Sequence, residues 1–158
     1  MYISPYEAIF TLIREEKTEE LAKLIVTVPA VVGAKDARGS SPLLLATYLN
    51  NMPATRLLVE AGADLNLDAG TGTPLMGVCF KGYPEIAKYL VDAGADVNAV
   101  NPKAGTALSF AAMFNRSDIV EMLLARGADP SIKDGKGLTA ADHATRQGFT
   151  EMAARVRV

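Results

Sequence analysis

Four features of the chain have residue types that could do chemistry: a lone histidine, a lone cysteine, a glycine-rich stretch and three evenly spaced aspartates. His143 could serve as a general base, which needs an orienting partner and a nucleophile or substrate within reach. Cys79 could be a nucleophile or redox sensor, which needs exposure and a thiol shifted toward thiolate. Ala69-Gly-Thr-Gly-Thr73 resembles a phosphate-binding loop, with a helix start behind it to hold an anion. However, the Gly-x-Gly-x-x-Gly spacing fails at Leu75, no P-loop lysine follows, and no parallel sheet is expected. Asp64, Asp96 and Asp129 offer hard oxygen ligands, but they lie a full repeat apart and no Cys/His cluster accompanies them. None of the four makes a site by itself. No catalytic residue, cofactor or metal is therefore expected, and the chain is not read as an enzyme.

The elements that hold these residues follow from an internal period, which must be sought before any local reading. Ser41, Thr73, Thr106 and Thr139 are spaced 32, 33 and 33 residues apart and mark a common zero position. Two residues on stand Leu43, Leu75, Leu108 and Ala141; five on, Ala46, Val78, Ala111 and Ala144; nine on, Asn50, Gly82, Asn115 and Gly148. Seventeen on are Leu58, Leu90, Leu123 and Val156, and twenty-one on are Gly62, Gly94 and Gly127. Carried backwards, the phase sets Ala8 at zero and matches Leu21, Leu24 and Ile25 to Ile86, Tyr89 and Leu90. Five units result, with approximate bounds 1–35, 36–67, 68–100, 101–133 and 134–158, the first degenerate and the last truncated. They form a single domain. In this frame His143 shares its position with Leu45 and Phe110, which favours capping or packing. Cys79 shares its position with Thr47, Ala112 and Thr145, a slot for small buried residues.

Each zero-position hydroxyl is expected to cap a helix, accepting a bond from an unpaired amide of the first turn. Pro42 and Pro74 follow at the first helical position, where a missing amide hydrogen is harmless. The residue at position nine ends this short helix in the left-handed region. A second helix starts near Pro53, Pro84 or Asp118, with apolar residues at helical spacing such as Ile86, Tyr89, Leu90 and Ile119, Met122, Leu123. Gly62, Gly94 and Gly127 end it, and a turn-rich stretch such as ADVNAVNPKAGT leads to the next unit. Neither helix has a stripe wide enough for a core of its own, so the units must stack. The fold class is all-α, a solenoid of helix-turn-helix-loop units.

Gly-Thr-Pro-Leu at 72–75, Gly-Ala-Asp-Val-Asn at 94–98 and Gly-Leu-Thr-Ala-Ala-Asp-His-Ala at 137–144 resemble ankyrin repeats. The likeness covers residues 36–158 by motif and the first 35 by phase alone. The histidine usual after Thr-Pro-Leu is replaced by Leu44, Met76, Ser109 and Asp142, so the family's inter-repeat hydrogen bond at that place is lost. The turn glycine is displaced to Gly72 and Gly105, and the loop before Thr73 is one residue short. The resemblance implies a concave face, made of loop tips and first helices, that binds another protein. Its contact positions fall at Tyr48 and Leu49, Phe80 and Lys81, Met113 and Phe114, Arg146 and Gln147, with tip cations Lys35, Arg38, Lys103, Lys133 and Lys136. Three of those four pairs contain an aromatic in a chain only 6% aromatic, which marks interface anchors.

Composition is consistent with that reading and excludes others. With 49% hydrophobic and 22% charged residues the chain is neither disordered nor membrane-spanning. The net charge of −2 gives no bulk attraction to nucleic acid or anionic lipid, and acidic Glu19, Glu20, Glu60, Glu85, Asp92 and Glu121 flank the basic tips. Glu7, Arg14, Glu15 and Glu16 interrupt the first apolar residues, so no secretory segment is read there and the Asn115-Arg116-Ser117 sequon is set aside. One cysteine permits no internal disulfide, which suits the cytoplasm. A non-catalytic protein-binding module is expected, a monomer in preference to a homodimer. The alternative is self-association through the same apolar stripe.

Overall fold

The computed structural model describes residues 2–158. It contains five helix pairs: α1 (Pro5–Arg14) with α2 (Thr18–Thr27), α3 (Pro42–Tyr48) with α4 (Met52–Glu60), α5 (Pro74–Lys81) with α6 (Pro84–Asp92), α7 (Ala107–Met113) with α8 (Ser117–Ala125), and α9 (Ala140–Arg146) with α10 (Thr150–Arg155). A short 3-10 helix, Pro29–Gly33, follows α2, and no strand occurs among the described residues. The odd-numbered helices pack in succession, α1 on α3, α3 on α5, α5 on α7 and α7 on α9, to make an inner row. The even-numbered helices form the outer row behind them. This is the stacked solenoid that the period requires.

The four hydroxyls behave as caps. Ser41, Thr73, Thr106 and Thr139 accept from the amides of Leu44, Met76, Ser109 and Asp142 at 3.1, 3.4, 3.1 and 3.3 Å. Between the rows lies the core. Leu43, Leu75 and Leu108 are 1% exposed, and Ala46, Val78, Ala111 and Ala144 are fully enclosed. Small residues such as Ala46 and Ala111 stand beside the leucines, which lets the inner helices approach closely.

Neighbouring pairs are also joined by polar links that run from one unit to the next. Asn51 caps α4 and donates its side-chain amide to the carbonyl of Ile13, 3.1 Å away at the end of α1. The Asn66 side chain accepts from the Asp96 amide, and Asn98 accepts from Asp129 while donating to the carbonyl of Gly127. Asp36, Asp68, Asn101 and Asp134 each accept two backbone amides of the following loop tip through one oxygen. On the outer row, the Arg56 guanidinium lies over the Tyr89 ring, Asp92 pairs with Arg126, and Glu121 pairs with Arg155. Exposed pairs of this kind add little stability each. Packing decides the stack.

The first pair departs from the expected register. In the other pairs the amide at position ten bonds the carbonyl at position five: Asn51 to Ala46, Tyr83 to Val78, Arg116 to Ala111 and Phe149 to Ala144. The equivalent bond in the first pair runs from Lys17 to Leu12, and the left-handed residue is Glu16, at φ 56°. For α1 the zero position is therefore Glu7, one residue before Ala8. Burial does not separate the two registers in α1, where Ile9, Phe10 and Ile13 are all enclosed. In α2, however, the buried Leu21 and Ile25 match Ile86 and Leu90 in the phase set from Ala8, so the shift is confined to α1 and its turn. The helix also begins earlier than the phase suggests, with Ser4 and Glu7 forming a reciprocal capping box around its first turn.

Two backbone positions carry opposite expectations. Gly94 ends α6 at φ 105°, with its amide bonded to Val91 and that of Ala95 to Leu90, and a Cβ there would meet no neighbour. Ala104 adopts φ 60° in the loop tip where Gly39 and Gly137 stand in other units, so it carries left-handed strain without a glycine. Gly94→Ala is expected to lower the unfolding free energy by about 1 kcal/mol, and Ala104→Gly to raise it by up to about 1 kcal/mol, read by urea denaturation.

Candidate functional site

The inner helices and the loop tips enclose a groove of about 890 Å³ in the first half of the stack. Its floor is formed by Leu44 and Leu45 of α3 and Met76 and Gly77 of α5, with Phe110 at the far end. Tyr48, Leu49 and Phe80 stand on the helix side, and the tips around Arg38 and Thr71 close the other. These side chains project because they fall on the face of α3 and α5 opposite the buried Ala46 and Val78.

Of the residues singled out from the sequence, the structure brings Arg38, Tyr48, Leu49 and Phe80 together around this groove. Tyr48, Leu49, Phe80 and Phe114 are 46, 44, 42 and 37% exposed, so the aromatic stripe is not packed under the loops. Phe114 extends it through Phe80, edge to face with ring centroids 4.8 Å apart. Lys81 bends back over the Tyr48 ring at 4.8 Å, a cation–π contact that braces the ring. Met113 is half-buried beside this stripe. Lys35, Lys103, Lys133, Lys136, Arg146 and Gln147 are exposed but lie outside the groove.

Sequence reasoning missed Arg14, which lines the groove from the end of α1. It also missed the row Leu45, Gly77 and Phe110 as a floor. The signal for the second was present: a glycine stands inside a helix at a position that its neighbours fill with Leu and Phe. Arg116 was missed as well; its guanidinium covers Gly82 and donates to the carbonyl of Phe80 at 3.2 Å, fixing the end of α5.

The residues with chemical potential are otherwise engaged. Cys79 is enclosed between helices, and burial pushes its thiol well up, away from thiolate. The Nε2 of His143 lies 2.7 Å from Oδ2 of Asp134, whose Oδ1 accepts from the amides of Lys136 and Leu138. The pair therefore ties α9 to the last loop tip, a capping role. Ala69-Gly-Thr-Gly-Thr73 is a turn followed by a cap, with Asp68 Oδ1 accepting from Gly70 and Gly72. No group of three or more His, Cys, Asp or Glu suited to a metal occurs among the described residues. No described helix is long and apolar enough to cross a membrane.

Stacked helix pairs, capped turns and an apolar groove between helices and tips define the class of helical repeat scaffolds that bind through their surface. Ankyrin repeat models match residues 9–101 and 99–144, and the chain belongs to the ankyrin repeat family. It is similar to the putative ankyrin repeat protein YahD of Escherichia coli, at 29% identity over 82% of this chain and 68% of that protein. It is also similar to the ankyrin repeat and KH domain-containing proteins mask-1 of Caenorhabditis elegans, at 28% over 90% of the chain, and mask of Drosophila melanogaster, at 35% over 62%. The chain spans only 6% and 2% of those two proteins. Ankyrin repeats are in general protein–protein interaction modules, and the family is typically non-catalytic.

The Asp134 pair gives the stack an acid-sensitive end. Burial pushes the Asp134 carboxyl up, but the Leu138 amide, the His143 ring and the Lys136 amide outweigh it and hold the group below its ordinary value. A carboxyl depressed on folding contributes stability in full above the ordinary carboxylate range, about pH 4, and loses it as pH falls through the depressed value. Urea unfolding of the wild type is expected to weaken through that window. Asp134→Asn keeps the oxygen acceptor, as Asn101 does in the preceding unit, and should be less stable at neutral pH with a flatter acid limb.

Proposed function

We propose that this chain is a non-catalytic module that binds a partner protein through its concave face, acting as a regulator, inhibitor or adaptor. The observation that carries the reading is the exposed line of Tyr48, Leu49, Phe80 and Phe114 beside an open groove. Aromatic side chains held rigid yet exposed bring large contact area at little entropic cost, which is the property of interface anchors. Phe80 and Phe114 brace one another, Lys81 braces Tyr48, and so the anchors are positioned before any partner arrives. The tip cations Lys35, Arg38, Lys103, Lys133 and Lys136, together with Arg146, favour an acidic rim on the partner and mainly set the rate and salt dependence of association. Met113 adds an adaptable contact next to Phe114. A cytoplasmic protein partner suits this surface better than nucleic acid, because Glu19, Glu20, Glu60 and Glu85 on the outer helices form no salt bridge among the described residues and turn the outer row acidic.

The test is a double variant. Tyr48→Asp with Phe114→Asp should abolish capture of a cognate partner protein while the chain stays folded, its stability lowered only by the lost edge-to-face contact (about 0.5–1.5 kcal/mol), the Lys81 cation–π contact and the covered part of each ring. Collapse of the fold in both single variants would make these residues core and end the reading. Light scattering across a dilution series separates the remaining case: a dimer that dissociates on Phe80→Asp would mean that the stripe serves self-association instead.

A further inference from the structure

The floor of the groove contains a gap that stacking does not explain. Leu45, Gly77 and Phe110 occupy the same position on α3, α5 and α7, and the glycine interrupts a row of large apolar side chains. Gly77 lies inside α5 with no backbone requirement for glycine, since it is absent from the left-handed positions. A Cβ built there meets no atom within 4 Å, so no neighbour demands its small size. A glycine in a helix interior is unfavourable for folding, because it orders the most flexible backbone and adds no packing. Its effect on the surface is a notch between Leu45 and Phe110, deepened under Tyr48 and Phe80.

The charge around this notch is net positive. Arg14 enters from α1 and Arg38 from the first loop tip, and neither pairs with a carboxylate among the described residues. Asp36 is the only acidic residue at the groove, and its Oδ1 is occupied by the amides of Arg38 and Ser40. Two guanidinium groups at an apolar opening, in a chain of net charge −2, make a local preference for a carboxylate next to an apolar group.

Resting on the concave-face reading, we infer that the Gly77 notch is a receptor pocket for one bulky apolar side chain of a partner's peptide segment, with an Asp or Glu close by in sequence that pairs with Arg14 or Arg38. The apolar anchor supplies affinity and the carboxylate supplies selection. Phe80 and Tyr48 form the walls of the pocket, and Arg14 makes the first unit part of the site.

Random linear peptides displayed on phage, selected against the full chain and then measured in solution by fluorescence polarisation, test this. Enriched peptides should carry a Leu, Ile, Met or Phe with an acidic residue within a few positions. Gly77→Leu should raise the melting temperature by filling the helix, yet weaken these peptides by at least about tenfold. Gly77→Ala should also raise it, with a smaller loss of affinity, which guards against a misfolded Leu variant. Arg14→Glu with Arg38→Glu should weaken acidic peptides and favour their Lys-substituted versions. Peptides that are lost on Tyr48→Asp but bind Gly77→Leu unchanged would overturn the notch and leave the concave face standing. Peptides indifferent to both would overturn both, and enrichment of basic or purely polar peptides, or of none, would overturn the assigned partner chemistry.

Discussion

Lateral packing between successive inner helices is the constraint on which everything else in this protein rests. Those helices are 7–10 residues long, and isolated helices shorter than about 12–15 residues are marginal in water. Each therefore exists because its neighbours bury it. Leu43, Leu75 and Leu108 are enclosed by their own unit together with the units beside it, and each such burial is worth roughly 1.5–3 kcal/mol. The amides of Asn51, Asn66 and Asn98 set the spacing between units, and the outer ion pairs ornament a stack already formed. Stability in such an array is a sum over neighbours, so damage at a central unit is felt by both sides.

The same constraint divides the residues into two sets with different duties. Positions that face the next unit must recur, because every unit meets the same neighbour geometry. Positions on the open side of the inner helices are released from that requirement, and there the chain places Tyr48, Phe80, Met113 and Phe114. Function is written in the differences between units. Arg14, Arg38 and Gly77 extend that logic: each stands at the groove, and none is required by the stack. The surface is rigid where it matters because it is mounted on helices whose other face is core, which limits the entropy lost on binding.

Much of this architecture was legible in the residues. Ser41, Thr73, Thr106 and Thr139 announce helix starts through a side-chain chemistry that is local and repeated, and the four caps are found. The first unit was harder to place. Its apolar residues Ile9, Phe10 and Ile13 fit two registers, and the backbone bond from Lys17 to Leu12 and the left-handed Glu16 distinguish them. The Ser4-x-x-Glu7 capping box was a readable start signal that the phase argument passed over. Misplacing that register hid Arg14 from the site. The groove was half legible, since helix positions seven and eight follow from the period, whereas the depth at Gly77 depends on three helices side by side. Pairings such as His143 with Asp134 and Lys81 with Tyr48 depend on side-chain directions that no spacing rule supplies.

The central claim is that recurring residues hold the stack and non-recurring residues on its open face do the binding. A saturation mutational scan read twice, once for folded abundance and once for retention of a selected groove-binding peptide, tests it most directly. Substitutions at Leu43, Leu75, Leu108, Ala46, Val78 and Ala111 should lose both signals together. Polar substitutions at Tyr48, Phe80, Phe114, Arg14 and Arg38 should lose the peptide while keeping abundance. A scan in which the open-face positions lose abundance as heavily as the core, or keep the peptide throughout, would contradict the account.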